Sequence, residues 1–376
     1  MRAALALARR GLGNTAPNPS VGCVLVGEGR VIGRGTTAPG GRPHAERVAL
    51  AIAGEAARGS TAYVTLEPCA HVGQTPPCAD ALIEAGVGRV VVGCVDPYPQ
   101  VAGAGIARLR GAGIEVEVGV LEAEARAVHA GFLHRLATGR PLVTLKLATT
   151  LDGKIATRTG ESQWITGPAA RRAAHALRAQ HDAVMVGAGT VASDDPDLTC
   201  RINGMRRSPD IRIVADTQLR TIPSAQLIGS ARQSPTWLLH GPGADAGRAA
   251  ILRETGATLI EVPTGVGGID LAEALAALGR AGLTLLLVEG GAQIAGELLR
   301  AGLVDRLAWF HAPGVIGGDG LSAAAAFGLS NLADMPRFAR TGQRTLGSDL
   351  LTTYARAPVP SPAGGRGNRE DPILSR

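Results

Sequence analysis

His44-Ala45-Glu46, Glu67-Pro68-Cys69 and Cys78 put one imidazole, two thiols and two carboxylates within a short stretch of chain. One histidine and two cysteines can hold a zinc ion with a fourth position left open to water. Zinc lowers the pKa of bound water from about 16 to about 7, so hydroxide is available at neutral pH. A glutamate two residues after the histidine can move protons at that water. Attack on a ring carbon bearing an exocyclic amino group then releases ammonia. Three protein ligands rather than four favour a catalytic metal over a structural one. His44, Cys69 and Cys78 are therefore the expected ligands, and Glu46 is the expected proton shuttle rather than a ligand.

Taken singly these parts are weak. His-x-Glu triplets occur by chance, and a lone buried cysteine is usually a small hydrophobe. Their placement adds weight. Ala45 to Ala57 reads as a helix, so His-Ala-Glu opens it. Thr61 to Leu66 reads as a strand that runs into the Glu-Pro-Cys turn, and Cys78 to Ala85 is a second helix. Both metal half-sites fall at helix N-termini, where the positive dipole end favours thiolate over thiol. Val21 to Val26 and Val31 to Gly33 predict a hairpin. Arg89 to Val95 and Ile114 to Val118 are strands, and Ile106 to Arg110 and Glu122 to Leu136 are helical. Alternation of this kind predicts an α/β fold with a mostly parallel sheet covered on both faces. The spacing Cys69-x8-Cys78 leaves a rim loop, Ala70 to Pro77, that can read substrate, and His71 on it is a candidate contact. Cys23, Cys94 and Cys200 lack partners at metal spacing and read as packing residues.

A chain of 376 residues suggests two domains or three. Five sparse cysteines argue for a reducing compartment rather than a disulfide framework. The first residues lack the apolar run of a signal peptide, and no stretch is apolar for long enough to span a membrane. These points predict a cytoplasmic protein without a membrane partner. The net charge of +6 comes from arginines, with only Lys146 and Lys154 as lysines. They are scattered among acids, and aromatic residues are few, so nucleic acid is not the expected partner. Some arginines suit a phosphorylated small substrate, because a planar guanidinium matches phosphate oxygens.

Thr138-Gly139-Arg140-Pro141 reads as the domain joint. A second alternation follows, with strands at Leu142 to Ala148, Ala183 to Val186, Ile211 to Ala215, Trp237 to His240, Thr258 to Val262, Leu283 to Val288 and Leu307 to Phe310. Helices read at Pro168 to Ala179, Gly247 to Glu254, Leu271 to Ala281 and Ala292 to Ala301. Gly187-Ala188-Gly189 followed by Ala192 matches a dinucleotide fingerprint, but no acid stands at the expected place and Asp194-Asp195-Pro196 breaks the helix. An ordinary Rossmann domain is thereby excluded. Glu289-Gly290-Gly291 before a helix either exposes N–H groups to a pyrophosphate or permits close packing. The segment 358–376, rich in Pro, Gly and Ser, predicts a disordered tail.

Longer motifs carry a resemblance. Pro17-Asn18-Pro19-Ser20-Val21-Gly22, Pro43-His44-Ala45-Glu46, Thr65 to His71, Thr75-Pro76-Pro77-Cys78 and Asp96 to Gly103 are similar to the bacterial bifunctional riboflavin biosynthesis enzymes. So are Lys146-Leu147-Ala148, Gly160 to Thr166, Leu177-Arg178-Ala179-Gln180, Asp194 to Arg201 and Glu289-Gly290-Gly291. The likeness runs from about residue 2 to about residue 356. It implies a cytidine-deaminase-like three-layer α/β domain over 1–138 and a dihydrofolate-reductase-like α/β domain over 141–356. The cofactors it implies are Zn2+ and NADPH. The implied reactions are deamination of a phosphoribosylated diaminopyrimidinone, then reduction of its ribosyl group to ribityl. By residue-wise carry-over, Ala148, Trp164, Thr190, Asp194, Thr217 and the run Gly291, Ala292, Gln293, Ile294, Ala295, Gly296 and Glu297 line the NADPH site. Asn18, His71, Ser162, Arg178, Leu198, Arg201 and Glu289 hold substrate. Relatives assemble as homo-oligomers. Gln74 departs from the family, which usually carries a basic residue there.

Overall fold

The computed structural model describes residues 1–71, 76–98, 101–205 and 211–357. The rim-loop residues around Gln74, the Pro99-Gln100 pair and the expected tail 358–376 lie outside the described residues.

The chain opens with helix α1 (Arg2–Gly11), which buries Leu5 and Ala8 and turns its arginines outward. Strands β1 (Gly22–Gly27) and β2 (Arg30–Thr36) form the expected hairpin. Then come α2 (Ala45–Ala53), β3 (Thr61–Leu66), α3 (Cys78–Glu84), β4 (Arg89–Cys94), α4 (Ala104–Gly111) and β5 (Glu115–Val118). The strands lie in the order β2-β1-β3-β4-β5. Only β3, β4 and β5 run parallel, because the short β1–β2 connection can join only antiparallel strands and β1 also meets β3 antiparallel. Strand residues Leu25, Val64, Val90 and Val92 form one core with Leu5, Ala49, Leu82 and Leu109 from the helices.

The single helix expected over Glu122 to Leu136 is two, α5 (Glu122–Val128) and α6 (Ala130–Thr138), broken at His129. The His129 ring is buried and lies 3.0 Å from the Thr65 hydroxyl. Burial pushes its pKa down to about 4, so the ring is neutral at physiological pH. The helix expected over Ala45 to Ala57 likewise ends early, its last turn continuing as a 3-10 segment from Gly54.

Helix α6 leads into β6 (Leu142–Thr149) of a second, nine-stranded sheet. Its other elements are α7 (Pro168–Ala179), β7 (Ala183–Gly187), α8 (Ala188–Asp194), β8 (Ile211–Ala215), β9 (Thr236–His240), α9 (Ala246–Glu254), β10 (Thr258–Glu261), α10 (Leu271–Arg280), β11 (Leu285–Glu289), α11 (Ala292–Arg300) and β12 (Arg306–His311). A hairpin of β13 (Phe338–Leu346) and β14 (Asp349–Arg356) closes one edge. The order is β10-β9-β8-β7-β11-β6-β12-β14-β13, parallel up to β12 and antiparallel beyond. Side chains alternate between faces. Ala183 and Met185 join one core while Val184 and Val186 join the other, so both faces are covered.

The two halves touch at the joint. Gly139 ends α6 at φ +76°, and both terminal nitrogens of Arg140 reach the Asp305 carboxylate at 2.7 and 2.8 Å. Arg135 donates to the carbonyls of Pro17 in the first half and Gly282 in the second, at 3.4 and 3.3 Å. No described helix is long and apolar enough to cross a membrane.

Candidate active sites

His44 is the residue just before α2, Cys69 follows β3, and Cys78 is the first residue of α3. Two glycines make that convergence possible. A side chain on Gly35 would sit 2.0 Å from the Ala45 carbonyl, so its absence lets the start of α2 lie against β2. One on Gly105 would sit 1.9 Å from the Pro68 carbonyl, so α4 can back the metal-side loop. The result is a compact donor set. His44 Nδ1 lies 3.3 Å from Cys78 Sγ and 3.7 Å from Cys69 Sγ. Tetrahedral zinc with bonds of about 2.3 Å to sulfur and about 2.05 Å to nitrogen requires an N···S edge of about 3.6 Å. The residues present fit the metal. The Cys78 backbone N–H donates to Cys69 Sγ at 3.3 Å. Donation from the Cys78 thiol first, and then from the imidazole, outweighs burial and lowers the Cys69 pKa, so this sulfur is poised as thiolate.

Glu46 lies in the first turn of α2, 3 % exposed, and its Oε2 has no partner. Burial, followed by the charge on Cys69, pushes its carboxyl up to about 7. A carboxyl so placed gains and loses a proton readily near neutrality. It opens on a cavity of about 290 Å³ whose wall includes Asn18, Arg42, His71, Asp96 and Arg135. Asn18 donates through its amide to the Gly41 carbonyl at 2.9 Å, and His71 packs edge-on to Tyr98. Burial raises the Asp96 carboxyl to about 6.

Glu67 is a residue the sequence reading passed over. It is buried, and its two oxygens accept four backbone N–H bonds, from Asp96, Gly103, Gly105 and Ile106, at 2.9–3.2 Å. One carboxylate thus ties the metal-side turn to the segment after β4 and to the start of α4. The available signal was an acid at the end of an otherwise apolar strand.

In the second half, Glu289 at the end of β11 is buried and bound by Arg178 of α7 through two nitrogens, at 2.6 and 3.0 Å. Lys146 of β6 lies 3.8 Å from the same carboxylate. Burial pushes Glu289 up, but the Arg178 and Lys146 charges outweigh it and hold the carboxyl at about 2. Lys146 is therefore part of a buried charge cluster with Glu289 and Arg178. Ser162, Trp164, Leu198 and Arg201 line the same cavity. Trp164 is not core; it is 66 % exposed, with the Arg171 guanidinium stacked 4.5 Å from its ring.

Comparison with known proteins agrees with these two centres. The family model described as the RibD C-terminal domain matches residues 141–352, and that of the cytidine and deoxycytidylate deaminase zinc-binding region matches residues 1–94. The riboflavin biosynthesis protein RibD of Escherichia coli K12 is 44 % identical over 93 % of this chain and 96 % of its own. The Bacillus amyloliquefaciens protein of the same name is 41 % identical over 94 % of each. The chain belongs to the RibD family. Two solved relatives share its fold throughout. Acinetobacter baumannii RibD has a TM-score of 0.85 at 37 % identity, covering 95 % of this chain and 98 % of that one. The Thermotoga maritima protein, described as a diaminohydroxyphosphoribosylaminopyrimidine deaminase/5-amino-6-(5-phosphoribosylamino)uracil reductase, has a TM-score of 0.82 at 34 % identity, covering 95 % and 97 %.

This RibD-family enzyme is bifunctional, a deaminase and a reductase of riboflavin biosynthesis that uses Zn2+ and NADPH, and its fold is the expected pair of α/β domains. In the second half, the residues that the resemblance implies for cofactor and substrate lie along neighbouring cavities. Ala148, Ser162, Thr190, Asp194, Gly291, Ala292 and Gln293 line one cavity, and Thr217, Ile294 and Glu297 line the next. Ala295 and Gly296 correct that run. The helical period turns Ala295 into the hydrophobic core, and Gly296 faces the Ala325 carbonyl, so neither lines the groove. Helix α8 ends at Asp194, as the Asp194-Asp195-Pro196 break requires, and β11 intervenes between β7 and β6.

Proposed function

We propose that residues 1–138 deaminate 2,5-diamino-6-(ribosylamino)-4(3H)-pyrimidinone 5′-phosphate and that residues 141–356 then reduce its ribosyl group to ribityl. The product is 5-amino-6-(ribitylamino)uracil 5′-phosphate. The observation that carries the first step is the donor triad of His44, Cys69 and Cys78 with the partnerless Glu46 oxygen beside it. Zinc held by His44, Cys69 and Cys78 would supply a water whose pKa is lowered to about 7. Glu46, buried beside the triad, would hold and move the proton that the departing amine needs. Asn18 and His71 orient the pyrimidine from the cavity wall. Glu67 acts through the backbone, fixing the rim on which the substrate rests.

In the second site NADPH supplies the hydride. Arg178 and Arg201 hold the substrate phosphate, Ser162 and Leu198 shape the sugar pocket, and Glu289 keeps Arg178 and Lys146 aligned. Ala148, Thr190, Asp194, Thr217 and the groove-facing part of Gly291 to Glu297 position the cofactor, with Trp164 at the neighbouring cavity that holds Arg178 and Glu289. The enzyme works as a cytoplasmic homo-oligomer on a small molecule, with neither nucleic acid nor membrane as partner.

The test supplies the diaminopyrimidine with NADPH and follows ammonia together with the near-ultraviolet absorbance of the cofactor. Release of one ammonia followed by oxidation of one NADPH is expected. Ammonia release without cofactor oxidation would reduce the reading to deamination alone.

A further inference from the structure

Three cavities in the reductase half join end to end. The one containing Arg178 and Glu289 shares Ser162 and Asp194 with the one at Gly290-Gly291. That one shares Thr190 and Gly291 with a third beside Thr217. A dinucleotide whose nicotinamide reaches the sugar pocket must run along this groove, so its adenosine end arrives in the third cavity. There NADPH and NADH differ by a single group, the 2′-phosphate.

The charges lining that third cavity are two carboxylates, Asp216 and Glu297, and one cation, Arg220. Asp216 is 1 % exposed. Its Oδ2 accepts from the Thr221 N–H and hydroxyl, both at 2.7 Å, while its Oδ1 has no partner. A buried carboxylate with a spare oxygen suits a ribose hydroxyl and repels a phosphate. Selection of the phosphorylated cofactor therefore needs a cation at the same end. Arg220 is exposed at the cavity wall and, among the described residues, makes no hydrogen bond or ion pair, so its guanidinium is available to a ligand. A planar guanidinium accepts phosphate oxygens two at a time.

We infer that Arg220 binds the 2′-phosphate and is the residue that selects NADPH over NADH. The inference rests on the NADPH reading of the groove. Calorimetric titration of the full-length protein with adenosine 2′,5′-bisphosphate and with 5′-AMP separates the two. Wild type is expected to bind the bisphosphate more tightly. Arg220→Gln should lose about 10- to 100-fold in affinity for the bisphosphate, with 5′-AMP unchanged and Arg220→Lys intermediate. In turnover, the NADPH KM should rise by a similar factor while the NADH KM and ammonia release stay at wild-type values. Unchanged bisphosphate affinity in Arg220→Gln would overturn the inference. So would an equal loss for both probes, which would put Arg220 on a part common to the two cofactors. Wild-type protein that binds neither probe would overturn the reading of the groove itself, and the assignment with it.

Discussion

Glu46 and Glu289 are both buried carboxylates, and their surroundings send them in opposite directions. Glu46 has an unpaired oxygen and a thiolate nearby and rises to about 7; Glu289 has two cations and sinks to about 2. The first is built to exchange a proton, the second to remain charged. Replacing Glu46 by Gln should leave zinc content at one per chain by metal analysis and lower ammonia release by about 10²- to 10⁴-fold, with reduction of the deaminated intermediate intact. Glu289→Gln should do the reverse, abolishing NADPH oxidation while ammonia release persists. Its stability cost has a defined pH window. The folded-state pKa of Glu289 lies below its unfolded value, so the stability it contributes is present above pH about 4.5 and lost as pH falls toward about 2. Urea unfolding of wild type and Glu289→Gln should differ by on the order of 3 kcal/mol above that window, and the gap should close within it. A gap independent of pH between about 2 and 4.5 would contradict the assigned charge state.

At the scale of elements, the candidate metal ligands were legible because each sits where an element changes: before α2, after β3 and at the start of α3. Periodicity found those junctions and residue type did the rest. What it could not find depends on contacts distant in sequence. The break between α5 and α6 follows from His129 meeting Thr65, a neighbour no local pattern reveals. The role of Glu67 depends on N–H groups from residues 96 to 106. The β13–β14 hairpin was missed because β13 is a mostly exposed edge strand with weak apolar alternation; its one local mark was Gly347 at φ +70° in the turn. The glycines that seat the site were equally silent. Gly35→Ala should push the start of α2 off β2, lower stability by about 1–3 kcal/mol in thermal or urea unfolding and weaken zinc binding. Glu67→Ala should leave four N–H groups, three of them buried, without an acceptor and cost about 3 kcal/mol or more. Wild-type unfolding midpoints in either variant would contradict these packing and hydrogen-bonding roles.

Across the whole molecule, two centres with unlike chemistry share one chain, each in its own sheet and core. Contacts between the halves are polar at Arg135 to Pro17 and Gly282 and at Arg140 to Asp305, and close-packed at Gly131 against Leu285 and Gly282 against Pro17. The central claim is that His44, Cys69 and Cys78 hold the metal on which deamination, and not reduction, depends. The direct measurement is to strip zinc from the full-length enzyme with a chelator under reducing conditions. Ammonia release from the diaminopyrimidine and NADPH oxidation with the deaminated intermediate are then followed as zinc is returned. The account predicts that ammonia release disappears and recovers in proportion to one zinc per chain, while NADPH oxidation holds throughout. Undiminished ammonia release from metal-free protein would contradict it.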